Sequence, residues 1–196
     1  MLRHFIKKGY AEKNIPVIDP YKYNHKTLDI SLFQEVLSVH ADFTNGVING
    51  CSNYQLEHVE FIKEEIAVDI HIIFPFLSFE SEFYTMEGDI YNAIPLLGEG
   101  NFKFEMHNFS FKGKFYLMQS RDEKAILIRN ITNPQYNIEK VLSRTEFDGN
   151  IDDIANAIIN DLLANYLNRF NHYIAQTYVG YVVALINSYL DKFDSW

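Results

Sequence analysis

Residues 151–193 read IDDIANAIINDLLANYLNRFNHYIAQTYVGYVVALINSYLDKF and contain one glycine and no proline. Apolar side chains recur there at steps of three or four residues, which is the spacing of one face of an α-helix. The stretch therefore predicts a single helix about 64 Å long, at a rise of ~1.5 Å per residue. A compact domain of this size has a radius of gyration of about 16 Å, so we expect an elongated molecule or a bent helix.

The apolar stripe of this helix precesses, because its mean step of about 3.8 residues exceeds the helical repeat of about 3.6. Between positions 178 and 190 only Gly180, Asn187 and Ser188 are not apolar, which predicts a helix buried on every side. A membrane span is the alternative, but the apolar run is far shorter than the ~20 residues that a bilayer requires. The stripe comprises Ile151, Ile154, Ile158, Leu162, Tyr166, Phe170, Ile174, Tyr178, Val182, Leu185, Tyr189 and Phe193.

The chain before this helix is predicted to form β-strands. Between positions 65 and 74 apolar and polar residues alternate, as in an antiparallel strand with one buried face. The phase changes after Pro75, where Leu77, Phe79 and Phe83 become the apolar set, and it changes again past Asn108. Pro75 therefore predicts a bend or bulge, and a polar turn at 120–124 predicts a hairpin. A strongly curved antiparallel sheet rolled around the helix would bury the apolar faces of both.

Composition indicates one domain spanning residues 1–196 and argues against a nucleic-acid partner. The net charge of −9 argues against nucleic-acid binding, which requires clustered Lys and Arg. Residues 1–26 carry six basic and two acidic side chains. A solvated N-terminal helix explains this bias, and a weak contact with an anionic membrane or a receptor is the alternative. Cys51 is the only cysteine, so no intrachain disulfide can form, and a packed free thiol is expected.

A series of short motifs resembles the insect juvenile hormone binding protein and takeout family. The match runs from Phe5 to about Phe193, and the order and spacing of its motifs carry it. They are FIKKG at 5–9, IPVIDP at 15–20, GCSNYQL at 50–56, FP at 74–75 with Leu77 and Phe79, YTMEG at 84–88, IPLLGEG at 94–100 and FDG at 147–149.

This resemblance implies an α+β fold of the elongated, TULIP-like super-roll type, in which the curved sheet wraps the long helix and leaves an apolar ligand tunnel. It also implies a secreted, haemolymph-like protein without enzymatic activity. The family usually has two cysteines close to the N-terminus, and this chain lacks both. Whether that cysteine pair and a signal peptide were removed or never present stays open, as does glycosylation at the sequons of Asn108 and Asn130.

Nothing in the sequence has the spacing of an active site. The seven histidines lack the paired spacing of a zinc helix, and no glycine-flanked serine nucleophile accompanies them. His71 and Asp69 share a strand face, but it is the polar face, where a solvated pair is the simpler explanation. We therefore expect no catalytic residue, metal or cofactor.

The leading hypothesis is a non-enzymatic carrier of a small elongated hydrophobic ligand, such as a juvenile hormone-like terpenoid, fatty acid, quinone or pigment. The alternatives are a surface-recognition protein with a filled core and an enzyme acting on lipid esters. Asn187 interrupts the apolar run, so it is predicted to bond either a ligand oxygen or a backbone group. The predicted ligand-binding residues, for which plain core packing is the alternative, are Phe74, Phe79, Phe83, Ile94, Phe102, Phe104, Phe111, Phe115, Ile128, Tyr178, Val182, Leu185, Asn187 and Tyr189.

Overall fold

The computed structural model describes residues 2–32, 37–90, 94–147 and 149–193. Within them, seven strands form one antiparallel sheet in the order β1-β2-β4-β5-β6, with β3 paired to β4 and β7 paired to β5. The strands are β1 (Tyr21–Leu32), β2 (Leu37–Asn49), β3 (Gln55–Ile62), β4 (Ala67–Ile90), β5 (Ile94–Gln119), β6 (Ile126–Asn137) and β7 (Lys140–Ser143).

Helices lie at both ends of the chain. Helix α1 (Leu2–Lys8) precedes the sheet. The predicted C-terminal helix is present but interrupted: α2 (Asp152–Ile158) continues through a π-helical turn, Ile159–Leu163, into α3 (Ala164–Arg169). Phe170, with φ −106° and ψ 15°, then separates α3 from α4 (Asn171–Leu190). None of the helices among the described residues is long and apolar enough to cross a membrane.

The phase changes predicted in the long strands occur, but not by a bulge at Pro75. Pairing of β4 with β5 keeps one register across Pro75, from Phe74 opposite Phe109 to Phe76 opposite His107. The side chains nevertheless exchange faces there, because Phe76 is 38% exposed whereas Leu77 is buried. In β5 the exchange occurs at Asn108, whose φ of +46° rotates the backbone out of the regular pleat.

The prediction that Phe83 lies on the dry face is wrong. A register shift between Ser81 and Tyr84 inserts an extra residue into this part of β4, so the alternation restarts one position later. Tyr84 is consequently buried and Phe83 is 47% exposed. The predicted hairpin at 120–124 is confirmed, because the Ser120 N–H donates to the Ala125 carbonyl between β5 and β6.

The prediction of a helix buried on every side is also wrong. Tyr181 is 71% exposed and Leu185 is 47% exposed, although other side chains of α4 pack on the sheet. The accessible surface of 12509 Å² is well above the roughly 9,600 Å² expected for a compact protein of this mass. The helices pack on one side of the sheet, and their outward side chains stay exposed.

Four asparagine side chains explain where the helices dock. Each amide oxygen accepts a hydrogen bond from the backbone N–H of a residue in β6, in β7 or just beyond them, at 2.5 to 2.9 Å. Each amide nitrogen donates to the carbonyl of the same residue, at 2.7 to 3.5 Å. These asparagine clamps occupy backbone groups that a further strand would otherwise bond. The pairs are Asn156 with Thr145, Asn160 with Ser143, Asn168 with Ile138 and Asn187 with Ile128.

The spacing of the first two clamps matches helix and strand geometry. Four residues from Asn156 to Asn160 advance a helix by about 6 Å, and two residues from Thr145 to Ser143 advance a strand by about 6.6 Å. Each four-residue step also rotates a helical side chain by about 40°. The π turn, which has more residues per turn, takes up part of this drift. Asn168 is thereby kept on the side of the helix that faces the strands.

Candidate ligand-binding site

The apolar side of the sheet that faces the helices, here called the inner face, is the candidate site. At the α4 end its buried residues are Phe115, Ile128 and Ile131. Side chains from β4, β5 and the helix pack against them and remain partly exposed. These are Ile70, Phe111, Val179, Val182, Val183, Ile186 and Leu190.

A second apolar cluster lies under α3 and the π turn. Ile138, Val141 and Ala164 are its buried residues. The Tyr136 hydroxyl donates to the Leu167 carbonyl at 3.0 Å, which ties β6 to α3. The partly buried side chains around this cluster are Phe104, Met106, Phe109, Tyr136, Ile159, Leu163 and Leu167.

Aromatic rings continue the inner face beyond the helix contacts. Phe102 lies 5.0 Å from Phe43 and 5.6 Å from Tyr84, measured between ring centroids. The Phe104 ring continues this series, with its centroid 6.1 Å from that of Phe102 and 6.3 Å from that of Phe79. The rings of Phe79, Phe102 and Phe104 are only half-buried, so this end of the inner face presents open aromatic surface.

Strand β3 adds apolar side chains that the periodicity of the sequence does not predict. Leu56, Val59 and Phe61 pair with Ile72, Ile70 and Val68 of β4, so they share the inner face. Each is more than half exposed. The register shift between Leu56 and His58 breaks the two-residue period. Because of this shift, the apolar residues Leu56 and Val59 are three positions apart instead of two, and this spacing is the only sign of the shift that the sequence contains.

On the helices, apolar side chains that pack on the sheet lie next to apolar side chains that stay exposed. The exposed ones are called the helical flank. Ile158 and Leu162, at 55% and 60% exposed, directly precede the packed residues Ile159 and Leu163. Tyr181 and Leu185 are exposed apolar side chains of α4. The inner face, here called the floor of the candidate channel, and the helical flank both present partly exposed apolar side chains.

No charged side chain occurs on the channel floor in the described central parts of β4 and β5. The inner-face positions of β4 from Val68 to Met86, and of β5 from Phe102 to Leu117, are apolar apart from Ser81 and the Tyr84 hydroxyl. Burial raises the pKa of Tyr84 to about 12, with the Asp152 and Glu146 charges adding to it. Its hydroxyl therefore stays neutral and donates to the Glu146 carbonyl at 2.7 Å.

The structure distributes the fourteen predicted ligand residues over several environments. Phe83 and Leu185 are exposed, and Ile94 lies outside the residues whose side chains are described. The Asn187 amide bonds both the N–H and the carbonyl of Ile128 at 2.8 Å. Of its two predicted partners, a ligand oxygen or a backbone group, the structure shows the backbone group. Phe115 and Ile128 are buried, and the half-buried residues are Phe74, Phe79, Phe102, Phe104, Phe111, Tyr178, Val182 and Tyr189.

Two polar clefts, of about 400 and 410 Å³, open elsewhere on the sheet. Their walls contain none of the predicted ligand residues. Lys22, Glu80 and Lys103 are among the residues of the first, and His71, Asn108 and Glu139 are among those of the second. The charged and hydrogen-bonding side chains in their walls do not suit an apolar ligand.

The arrangement of titratable groups does not suggest catalysis. Among the described residues no group of three or more His, Cys, Asp or Glu side chains could hold a metal ion. Burial raises the pKa of the Cys51 thiol, and the Asp19 charge adds to that shift. A thiol held in its neutral form is a poor nucleophile.

Asp19 is a structural anchor. It accepts hydrogen bonds from the backbone N–H groups of Gly50 and Ser52, at 3.0 and 2.7 Å, and from the Ser52 hydroxyl. Burial alone would raise the pKa of Asp19, but these bonds and the Lys7 charge lower it below its ordinary value.

The fold resembles that of a solved structure over nearly the whole chain. Takeout 1 of Epiphyas postvittana is similar in structure, with a TM-score of 0.69 at 12% identity, over 98% of this chain and 90% of that one. A lipopolysaccharide binding protein gives a TM-score of 0.41 at 11% identity, over 96% of this chain and 37% of that one. A comparison with curated proteins finds no match.

The fold is thus α+β, a long antiparallel sheet packed on a C-terminal helix, as the sequence predicted. The family whose sequence pattern matches residues 1–196 is described as haemolymph juvenile hormone binding protein. Its members are non-enzymatic binding proteins, so the expectation that the chain is not an enzyme is confirmed. On its sequence and its fold, this chain belongs to the haemolymph juvenile hormone binding protein family.

Proposed function

We propose that the protein is a secreted carrier that binds a small elongated hydrophobic ligand in the apolar channel between its sheet and its C-terminal helices. The observation that carries the proposal is the half-buried, uncharged floor formed by residues such as Phe79, Phe104 and Phe111. An apolar ligand would cover the part of these rings that is left exposed, and that burial is favourable. Family membership supports both the hydrophobic ligand and the secretion.

The energy available from such a channel is sufficient for a carrier. Burying about 400 Å² of apolar ligand surface at roughly 25 cal/mol per Å² contributes ~10 kcal/mol before the cost of association. We propose that the sheet and the helices close around the ligand into a tunnel, because closure would also cover Leu56, Val59 and Phe61. After the cost of association is subtracted from ~10 kcal/mol, we expect a dissociation constant in the micromolar to nanomolar range.

The uncharged floor favours a ligand that is neutral along its length, such as a terpenoid ester, a quinone or a neutral pigment. A carboxylate placed on the floor would lose its hydration without gaining a cationic partner. We therefore expect a long-chain methyl ester to bind at least about tenfold more tightly than the free acid at pH 8, which corresponds to ~1.4 kcal/mol. The difference should shrink as acidification neutralises the acid.

The test is native mass spectrometry of protein purified without delipidation, followed by titration with a fluorescent long-chain methyl ester. We expect a co-purified lipid and saturable binding at one site. Phe104→Lys should abolish the binding, because it places a charge on the floor, whereas Lys112→Glu on an exposed position of β5 should not affect it. Absence of both lipid and saturable uptake would favour the filled-core alternative, a surface-recognition protein.

A second candidate role is delivery of the ligand at an anionic membrane. Arg3 donates a hydrogen bond to the Tyr54 carbonyl, and its guanidinium lies 4.9 Å from the centre of the Tyr54 ring. The ring centroid of Phe5 lies 5.3 Å from that of Phe193, which follows α4 in the chain. The basic helix α1, with Lys7 and Lys8 exposed, thus lies beside the first residue before β3 and the end of α4.

Vesicle co-sedimentation tests this contact. We expect binding to vesicles containing phosphatidylserine and none to pure phosphatidylcholine, because the basic segment alone opposes the otherwise negative charge of the chain. Lys7→Glu with Lys8→Glu should abolish binding. Lys112→Glu with Lys140→Glu, the same charge change at exposed positions of β5 and β7, should retain it. Equal loss in both double variants would contradict a contact through α1.

A further inference from the structure

The asparagine clamps fix a distance as well as a register. A side-chain amide that bonds both the N–H and the carbonyl of one residue has little freedom to tilt or slide. The separation between helix backbone and strand backbone is then set by the length of one asparagine side chain. Apolar packing between a helix and a sheet is more permissive, because side chains of different sizes can substitute for one another.

The clamped helices also carry one wall of the channel. Ile159 precedes the clamp at Asn160, and Leu167 precedes the clamp at Asn168. Both apolar side chains pack against the buried cluster around Val141, and Phe104 of the floor packs against the same cluster. Any change in the distance between α3 and β7 would therefore change the space above the floor at this end.

The clamps are distributed unevenly along the helices. Three of them lie between Asn156 and Asn168, on α2, the π turn and α3. The fourth, Asn187, lies about 28 Å further along. In between, the described contacts of α4 with the floor are apolar and come from residues such as Val179 and Val182. The α2–α3 end is thus fixed to the strands by side-chain hydrogen bonds, whereas the described contacts of the middle of α4 with the floor are apolar.

We propose that Asn156, Asn160 and Asn168 are positioning residues that set the width of the channel at its α2–α3 end, and thereby the girth of the ligand accepted there. The proposal rests on the carrier function proposed above. It assigns selectivity to side chains that need not touch the ligand. Lengthening a clamp by one methylene should widen the channel without removing the hydrogen bonds.

The experiment compares two neutral probes of equal chain length, a methyl ester with a narrow linear polyene and one with a bulky pyrenyl group. Their dissociation constants are measured for the wild-type chain, for Asn160→Gln, for Asn168→Gln and for the double variant. The control is Asn165→Gln, an exposed position of the same helix. We expect the preference for the polyene over the pyrenyl probe to fall by about 10-fold in the double variant, the size of effect that one methylene of space produces.

The outcomes separate the two proposals. A preference that stays at the wild-type value in folded Gln variants, checked by circular dichroism, overturns the width-setting role and leaves the carrier function intact. A wild-type chain that binds neither probe removes the carrier function, and this proposal falls with it. If the double variant does not fold, the single variants decide, each with a smaller change in the same direction expected. A clamp that served only stability would alter the melting temperature without altering this preference.

Discussion

At the scale of single residues, asparagine has an unusual role in this protein. Asparagine is normally unfavourable inside helices, because its side chain competes for backbone hydrogen bonds. Asn156, Asn160, Asn168 and Asn187 instead bond the backbone of another element, although the Asn156 amide also donates to the Asp152 carbonyl of its own helix at 2.8 Å. The strand edge, which would otherwise expose unpaired groups, is covered by the same bonds.

Replacing Asn168 by Ala should lower the free energy of unfolding by about 2–3 kcal/mol, because the Ile138 N–H and carbonyl lose their partners in a partly buried site. Asn165→Ala, on the exposed side of the same helix, should stay within about 0.5 kcal/mol of the wild type. Urea denaturation measures both. Equal losses would show that helix propensity, and not the clamp, determines the effect.

At the scale of elements, a polar cluster joins β1 to β2. His40 lies between Asp29, at 2.6 Å, and Asp42, at 3.2 Å, and His25 lies 3.3 Å from Asp42. The hydrogen bond with Asp29 raises the pKa of His40 above its ordinary value of 6.5, against a smaller effect of desolvation, and Asp42 adds to the rise. A hydrogen bond from Thr27 lowers the pKa of Asp42, and His40 adds to that lowering.

This cluster should make the pairing of β1 and β2 dependent on pH. Because the folded pKa of His40 is raised, its stabilising contribution is fully present below about pH 6.5 and is lost as the pH rises through the folded pKa. Hydrogen exchange of β1 amides, corrected for the intrinsic rate, should therefore show more protection at pH 5.5 than at pH 8.5. His40→Asn should remove the difference, and replacing the exposed His172 should preserve it. An unchanged pH dependence in His40→Asn would contradict this assignment.

At the scale of the whole molecule, the large surface area is the property to explain. The helices cover the β6 and β7 side of the sheet, and the aromatic end around Phe43 and Phe102 lies outside the two helix-packed clusters. A molecule that exposes this much apolar surface gains free energy from covering it. A bound lipid would cover this exposed apolar surface directly.

Ligand binding should therefore compact and stabilise the whole chain. At a hundredfold excess over the dissociation constant, a ligand adds about 2.7 kcal/mol, which should raise the melting temperature by about 5–10 °C for a chain of this length. Small-angle scattering should show a smaller radius of gyration at the same time. Saturable binding with neither change would indicate a ligand held outside the channel.

Much of the architecture could be predicted from periodicity, because the period of a side-chain pattern reports its local backbone. The phase changes at Pro75 and Asn108 were visible in this way, as was the C-terminal helical stretch. Phe83 was assigned to the wrong face, because the register shift beside it depends on how β4 pairs with β5. Leu56 and Val59 were overlooked for the same reason, since the irregular register of β3 obscures their alternation.

The class of fold, the family and the apolar character of the floor follow from the amino-acid sequence, because these depend on local periodicity and on the order of short motifs. The interruption of the helix, the exposure of one of its flanks and the bond of Asn187 to a backbone partner in β6 follow from the three-dimensional packing. The physical reason is that a hydrogen bond across 59 residues and the covering of an apolar flank depend on which elements meet. A periodic pattern records that a face is apolar but not what covers it.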